Sequence, residues 1–261
     1  MATQTTCKLF GGAAFKASEM AWKFYMDRPY LAREFLKGLK NAKPPFGYTR
    51  GSFEVKHMGT FSYNVPTVPM LANITATLDW QEDDALQREL QNRGKCGNDF
   101  FRDAIFYMRR SKFDRTKDII LWPDFVANPE SGMSVLNFDI PSVGPDDPVT
   151  ATFEMTQNIT WIYCLVQIPE TVPALPEFVY ASPGGGDTIT RTTGSWTEDG
   201  LQIGMHLVID EEFLVTALGL NNKKIVEIVD LSATVITTVE DGYLTPEAGL
   251  GTYWLRAGWH L

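Results

Sequence analysis

Residues 71–80, LANITATLDW, alternate apolar and polar side chains with a period of two, as a strand with one buried face does. The period then changes. Leu86 and Leu90 stand four apart and give residues 81–92 one apolar helical face. Asp79 and Glu82 have capping-box spacing, and Asp83 and Asp84 suit the positive end of a helix dipole. Gly94 and Gly97 are expected to stop the helix. Strands are predicted at Phe100–Arg109, Asp118–Phe125, Val135–Ile140, Val149–Thr156 and Ile159–Ile168, separated by the turn signals FDRT, NPESG and VGPDDP. Upstream, Leu31, Phe35, Leu36 and Leu39 follow Pro29 at helical spacing and predict a helix. KPPFGYTRG reads as a turn cluster and Ser52–Val65 as a strand pair. Pro66 and Pro69 mark an exposed loop or edge.

The clearest seam is residues 168–187, IPETVPALPEFVYASPGGGD, where four prolines precede three glycines as in an interdomain connection. It divides the chain into residues 1–180 and 181–261. Beyond it, Thr188–Thr193, Leu201–Ile209, Lys224–Asp230, Thr234–Val239 and Gly251–Arg256 read as five short strands. The turn dipeptides DG, NN and DG separate them. The expected fold is mainly β: a sandwich or barrel domain with a short helix, then a small all-β domain.

Composition changes this picture in one respect. Of the net charge of −9, residues 1–180 carry almost none, with 19 basic and 21 acidic side chains. Residues 181–261 hold 4 basic and 11 acidic. Tight nucleic-acid binding depends on neutralising phosphates with Lys and Arg, so this chain is not built for it. No secretory leader and no apolar run of membrane-spanning length is visible, which predicts a protein made in the cytoplasm without a membrane anchor. Cys7, Cys96 and Cys164 form no CxxC pair and are expected to be reduced structural thiols.

No catalytic, cofactor or metal site is expected from the residues. His57, His206 and His260 are scattered, with no second histidine or carboxylate at ligand spacing. Ser195 in TGSW lacks a local base and suits a turn. Gly184, Gly185 and Gly186 are not followed by the Lys-Ser/Thr of a phosphate loop and read as a linker. Asp83–Asp84, Asp146–Asp147 and Glu211–Glu212 read as solvated surface. The aromatics Trp22, Phe24, Tyr25, Phe100, Phe101, Phe106 and Tyr107 suit core or subunit interface better than a stacking platform. The basic cluster Arg109, Arg110, Lys112 and Arg115 is interspersed with Asp103, Asp114 and Asp118 and suits salt bridges between subunits. An enzyme is not expected.

The succession NITATLDWQEDDALQREL, FFRDAIFYMRR, DIILWPDFVANPESG and DDPVTATFEMTQNITW, across residues 71–168, resembles the major tail tube proteins of long-tailed bacteriophages. DTITRTTGSWTEDGLQIGMHLVI, NNKKIVEIVDLSATVITTVED and LTPEAG resemble a small β-domain that recurs in phage structural proteins as an appended module. EEFLVTALGLNN departs from that module, being longer and more apolar than its usual loop. The resemblance implies a virion tail protein, assembled in the host cytoplasm, that partners itself and other tail proteins. It further implies six-membered rings, stacked into a tube, through which double-stranded DNA passes without tight binding. The loops at 41–52 and 64–70, rich in Pro and Gly, are the expected stacking contacts. A decoration or tail-end protein, or a glycan-binding adhesin, is the alternative.

Overall fold

The computed structural model describes residues 20–24, 34–43, 48–49, 52–56, 62–66, 70–96, 104–108, 115–124, 126, 132–141, 148–170, 178–211, 220–248 and 253–260. Among these residues the fold is mainly β with one α-helix. The strands are β1 (Met20–Phe24), β2 (Glu34–Phe35), β3 (Leu39–Ala42), β4 (Tyr48–Thr49), β5 (Ser52–Lys56), β6 (Ser62–Pro66), β7 (Met70–Leu71) and β8 (Ile74–Asp79). After helix α1 (Ala85–Cys96) come β9 (Ala104–Met108), β10 (Ile119–Asp124), β11 (Gly132–Asp139), β12 (Thr150–Asn158) and β13 (Thr160–Pro169). The remainder are β14 (Phe178–Ala181), β15 (Thr188–Arg191), β16 (His206–Glu211), β17 (Ile225–Leu231), β18 (Val235–Thr238), β19 (Glu247–Ala248) and β20 (Tyr253–His260).

Twelve strands form one sheet in the order β19-β14-β15-β18-β17-β16-β20-β13-β10-β9-β1-β2, and β11-β12-β8-β3 form a second. β4 pairs with β7 and β5 with β6 as two-stranded pieces. Among the described residues, the strand pairings in both sheets are antiparallel. The first core lies between the four-stranded sheet and the β9-β10-β13 part of the large one. Ile74, Ala76 and Leu78 meet Ala151, Phe153 and Met155 from one side. Phe106, Met108, Ile119, Leu121 and Trp161 close it from the other. A second core gathers Ile168, Phe178, Tyr180, Ile189, Trp196, Leu207, Ile209, Ile236 and Leu255.

One strand explains how a single sheet serves both cores. Along β13, Trp161, Tyr163 and Leu165 face the first core, whereas Val166 and Ile168 face the second. Alternation alone would turn Val166 away. The register shift between Cys164 and Val166 in the β13–β20 pairing inserts one residue and resets the parity. Both cores therefore lie on the same side of the large sheet. Gly258 sits opposite this bulge, and a Cβ there would fall 1.9 Å from the Tyr163 carbonyl oxygen. Only glycine fits.

The helix is capped by a motif different from the expected one. The Gln87 amide donates to Asp84 Oδ1 (2.9 Å), and the Gln87 side chain accepts from the Gln81 amide (2.8 Å). Asp84 and Gln87 thus do the work expected of Asp79 and Glu82. Leu86 and Leu90 are buried as predicted. Gly94 does not stop the helix but lies within it, where a Cβ would be 3.2 Å from Phe138 Cβ, so it lets the helix approach β11. Upstream, the expected helix behind Pro29 is replaced over its described part by β2, a turn and β3. Gly38, at φ 70°, turns the chain where a helix would have continued.

The triple glycine is likewise not a linker. Gly184, Gly185 and Gly186 all have positive φ and turn the β14–β15 hairpin, in which Ala181 pairs with Thr188. A boundary at 180/181 would fall inside β14, whose Phe178 and Tyr180 pack in the second core. Beside this turn, the buried Asp187 carboxylate accepts the amides of Gly242, Tyr243 and Leu244 at 2.8, 2.8 and 2.5 Å. Burial opposes its charge, but these bonds, with one from Ser182, prevail and hold its pKa below the ordinary 3.8. A depressed carboxylate stabilises the fold above its unfolded pKa and loses that contribution as pH falls through the lower folded value. Asp187→Asn is expected to cost about 3 kcal/mol at neutral pH. The gap between wild type and variant should shrink below about pH 4 in chemical denaturation.

Candidate functional site

The four-stranded sheet offers the surface that its inner packing leaves over. With Ile74, Ala76 and Leu78 turned inward, Thr75 and Thr77 point outward, joined by Thr152 and Glu154 of β12. A shallow groove of about 290 Å³ runs over this face, lined by Asn41, Lys43, Thr75, Thr77, Asn137, Thr152 and Glu154 among others. Its character is small, polar and nearly neutral. Glu154 is held by Asn73, whose side-chain amide donates to it at 2.7 Å. Lys40 on β3 pairs with Asp79 at 2.6 Å.

The edges of the two sheets differ. The large sheet ends on β19 and β2, each two residues long. Such short edges offer little backbone to a partner. The four-stranded sheet ends on β3 and on the eight-residue β11, and neither has an outer neighbour among the described residues. On β11 a bulge between Val135 and Asn137 leaves Leu136 52% exposed. A long strand edge carrying an exposed leucine can bind another strand.

On the far face of the large sheet lies a third apolar group that includes Tyr107, Trp122, Ile162, Cys164, Val208 and Ile225. Arg256 of β20 is buried beside it. Its Nε donates to Asp210 Oδ2 (3.0 Å) and its Nη1 to Gln167 Oε1 (2.6 Å). Its guanidinium also faces the Trp254 ring at 5.2 Å. One side chain thus ties β13, β16 and β20 together. Burial pushes the Cys164 thiol up to about 12 despite the pull of Arg256, so this cysteine is an unreactive packing group.

At the rim of that face the register assembles a group invisible in sequence spacing. His260 pairs with Ile162 and His206 with Gly258, which sets both histidines on the same side of the sheet. Asp124 ends β10, opposite Thr160. The His206 and His260 rings stack at 3.7 Å, and His260 Nε2 lies 2.6 Å from Asp124 Oδ2. Burial, then the neighbouring His260, hold the His206 pKa below its ordinary 6.5, with Glu227 and Asp124 acting the other way. One ligand atom from each of the three lies within 4.8 Å of the others.

Other sequence candidates fall elsewhere. Ser195 makes turn contacts, with its Oγ 2.9 Å from Thr197 Oγ1. Phe106 and Tyr107 are buried on opposite faces of β9, in two different apolar groups. Asp84 is buried at the helix cap with Lys37 3.3 Å away, not solvated surface. His57, Tyr25, Phe100, Phe101, Asp146, Asp147, Glu212, Arg109, Arg110 and Lys112 lie outside the described residues. So does half of the expected stacking loop at 41–52, and the one at 64–70 includes parts of β6 and β7. No described helix is long and apolar enough to cross a membrane.

No known family model matches the chain, and no curated protein matches it. Among solved structures, a chain of the anti-feeding prophage baseplate, determined by six-fold symmetrised cryo-EM, is similar to it. The TM-score is 0.40 and the identity 6%, over 57% of this chain and 94% of that one.

The buried ion pair generates a prediction. Asp210→Ala removes the carboxylate that balances the buried Arg256 charge, and is expected to cost about 3–5 kcal/mol. Replacing both, as Asp210→Leu with Arg256→Met, should recover most of that loss in urea denaturation. A double variant as unstable as the single one would mean that the pair is not the source of the stability.

Proposed function

We propose that this chain is a non-enzymatic structural subunit of a phage tail, working by edge-to-edge assembly with copies of itself. The observation that carries the reading is the four-stranded sheet, which is packed on one face, polar on the other and, among the described residues, unpaired along both edges. In the assembly, β11 of one copy meets β3 of the next. Repeating that head-to-tail contact closes a ring when the rotation allows. Ring closure removes every free edge from the sheet.

In this arrangement the threonine-rich face lines the channel of a tube of stacked rings, six copies to a ring as the tail tube resemblance implies. Small hydroxyl and amide groups give DNA a wall that it can pass. Without a stripe of Lys and Arg, few counterions are released and DNA is not held. The acidic C-terminal part, carrying most of the negative charge, lies outside and keeps the polymer soluble. Other tail proteins cap the ends.

Negative-stain electron microscopy and light scattering of the purified chain test this. Hollow tubes or rings are expected for wild type. Leu136→Arg, an exposed substitution expected to change stability by no more than about 0.5 kcal/mol, should keep the circular dichroism spectrum and abolish assembly. A wild-type chain that stays monomeric at high concentration, or a Leu136→Arg variant that assembles equally well, would contradict the reading.

A further inference from the structure

We propose that Asp124, His206 and His260 bind one divalent transition-metal ion, zinc being the expected occupant. Two imidazoles and one carboxylate form a donor set that suits zinc and its first-row neighbours better than magnesium or calcium, which prefer all-oxygen surroundings. One nitrogen or oxygen from each side chain already lies within 4.8 Å of the other two, so small side-chain rotations bring all three to the bond lengths of about 2.0–2.2 Å that one ion requires.

Two further observations favour a ligand here. Asp124 is 2% exposed, and its Oδ1 accepts the Val126 amide at 2.9 Å, which turns Oδ2 toward the histidines. That is the outer hydrogen bond that orients a metal-binding carboxylate. His206 Nδ1 is shielded from solvent and has no hydrogen-bond partner among the described residues. A buried ring nitrogen without a partner costs free energy, and giving its lone pair to a bound ion would remove that cost. His260, with its side chain 34% exposed, leaves the site open to entry from solvent and leaves a coordination position for water or a further donor.

The placement suggests a brace. Asp124 comes from β10, which packs on the first core, whereas His206 and His260 come from β16 and β20, which pack on the second. An ion held by all three ties the two halves at the rim of the shared sheet. Because it binds only the folded chain, it raises the melting temperature by mass action.

The test is titration of the untagged, chelator-treated full chain with zinc, followed by calorimetry, and with cobalt, followed by its visible spectrum. One ion per chain, a higher melting temperature with zinc but not with magnesium, and a cobalt spectrum of nitrogen and oxygen ligation are expected. His260→Gln and His206→Gln should each weaken binding by at least about 100-fold, the upper end of what losing an outer-shell partner costs. Their circular dichroism should stay unchanged. No saturable zinc binding would overturn the proposal. So would undiminished binding in the double variant, or a strong thiolate band placing cobalt on the cysteines.

Discussion

The fold depends on β20, which comes late in the chain yet lies in the middle of the large sheet. It pairs with β13 on one side and β16 on the other, so residues 253–260 join strands that otherwise belong to separate cores. That position imposes severe demands on eight residues. Gly258 must lack a side chain to pass the bulge at Cys164–Val166. Arg256 must find Asp210 and Gln167, because an unpaired buried guanidinium would cost several kcal/mol. Tyr253, Leu255 and Ala257 must face the second core while Trp254, Arg256 and His260 face away.

This arrangement bears on function because it separates surfaces by task. The large sheet is occupied with holding the two cores and ends in two-residue strands. The four-stranded sheet has one face in the first core, a polar face opposite and a long edge with no neighbour among the described residues. The strands of the second half continue the large sheet, whereas the edge proposed for assembly belongs to the four-stranded sheet. The metal-binding group sits where those halves meet, and an ion there would strengthen the same seam that β20 creates.

Much of this could be read from the sequence where alternation was strong. β8 announces itself because Ile74, Ala76 and Leu78 alternate with threonines, and α1 because Leu86 and Leu90 share one face. β20 was harder. Its outward-facing positions include Arg256 and Gly258, which break the apolar pattern although both are buried, and the predicted strand accordingly stopped at Arg256. Phe35, Leu36 and Leu39 fit helical spacing, but the left-handed turn at Gly38 breaks the run into β2 and β3. The helix cap was expected at Asp79 and Glu82, but the same three-residue spacing recurs at Asp84 and Gln87, and that is the pair that meets. Asp124 and His260 are 136 residues apart, and strand register rather than spacing brings them together. A pattern read along the chain carries no signal for such a meeting.

Differential scanning calorimetry of the full chain tests the shared sheet most directly. A strand that completes both cores makes them unfold together, so a single two-state transition is predicted, with the calorimetric enthalpy equal to the van't Hoff enthalpy. Two resolved transitions, one leaving half of the chain folded, would contradict the account.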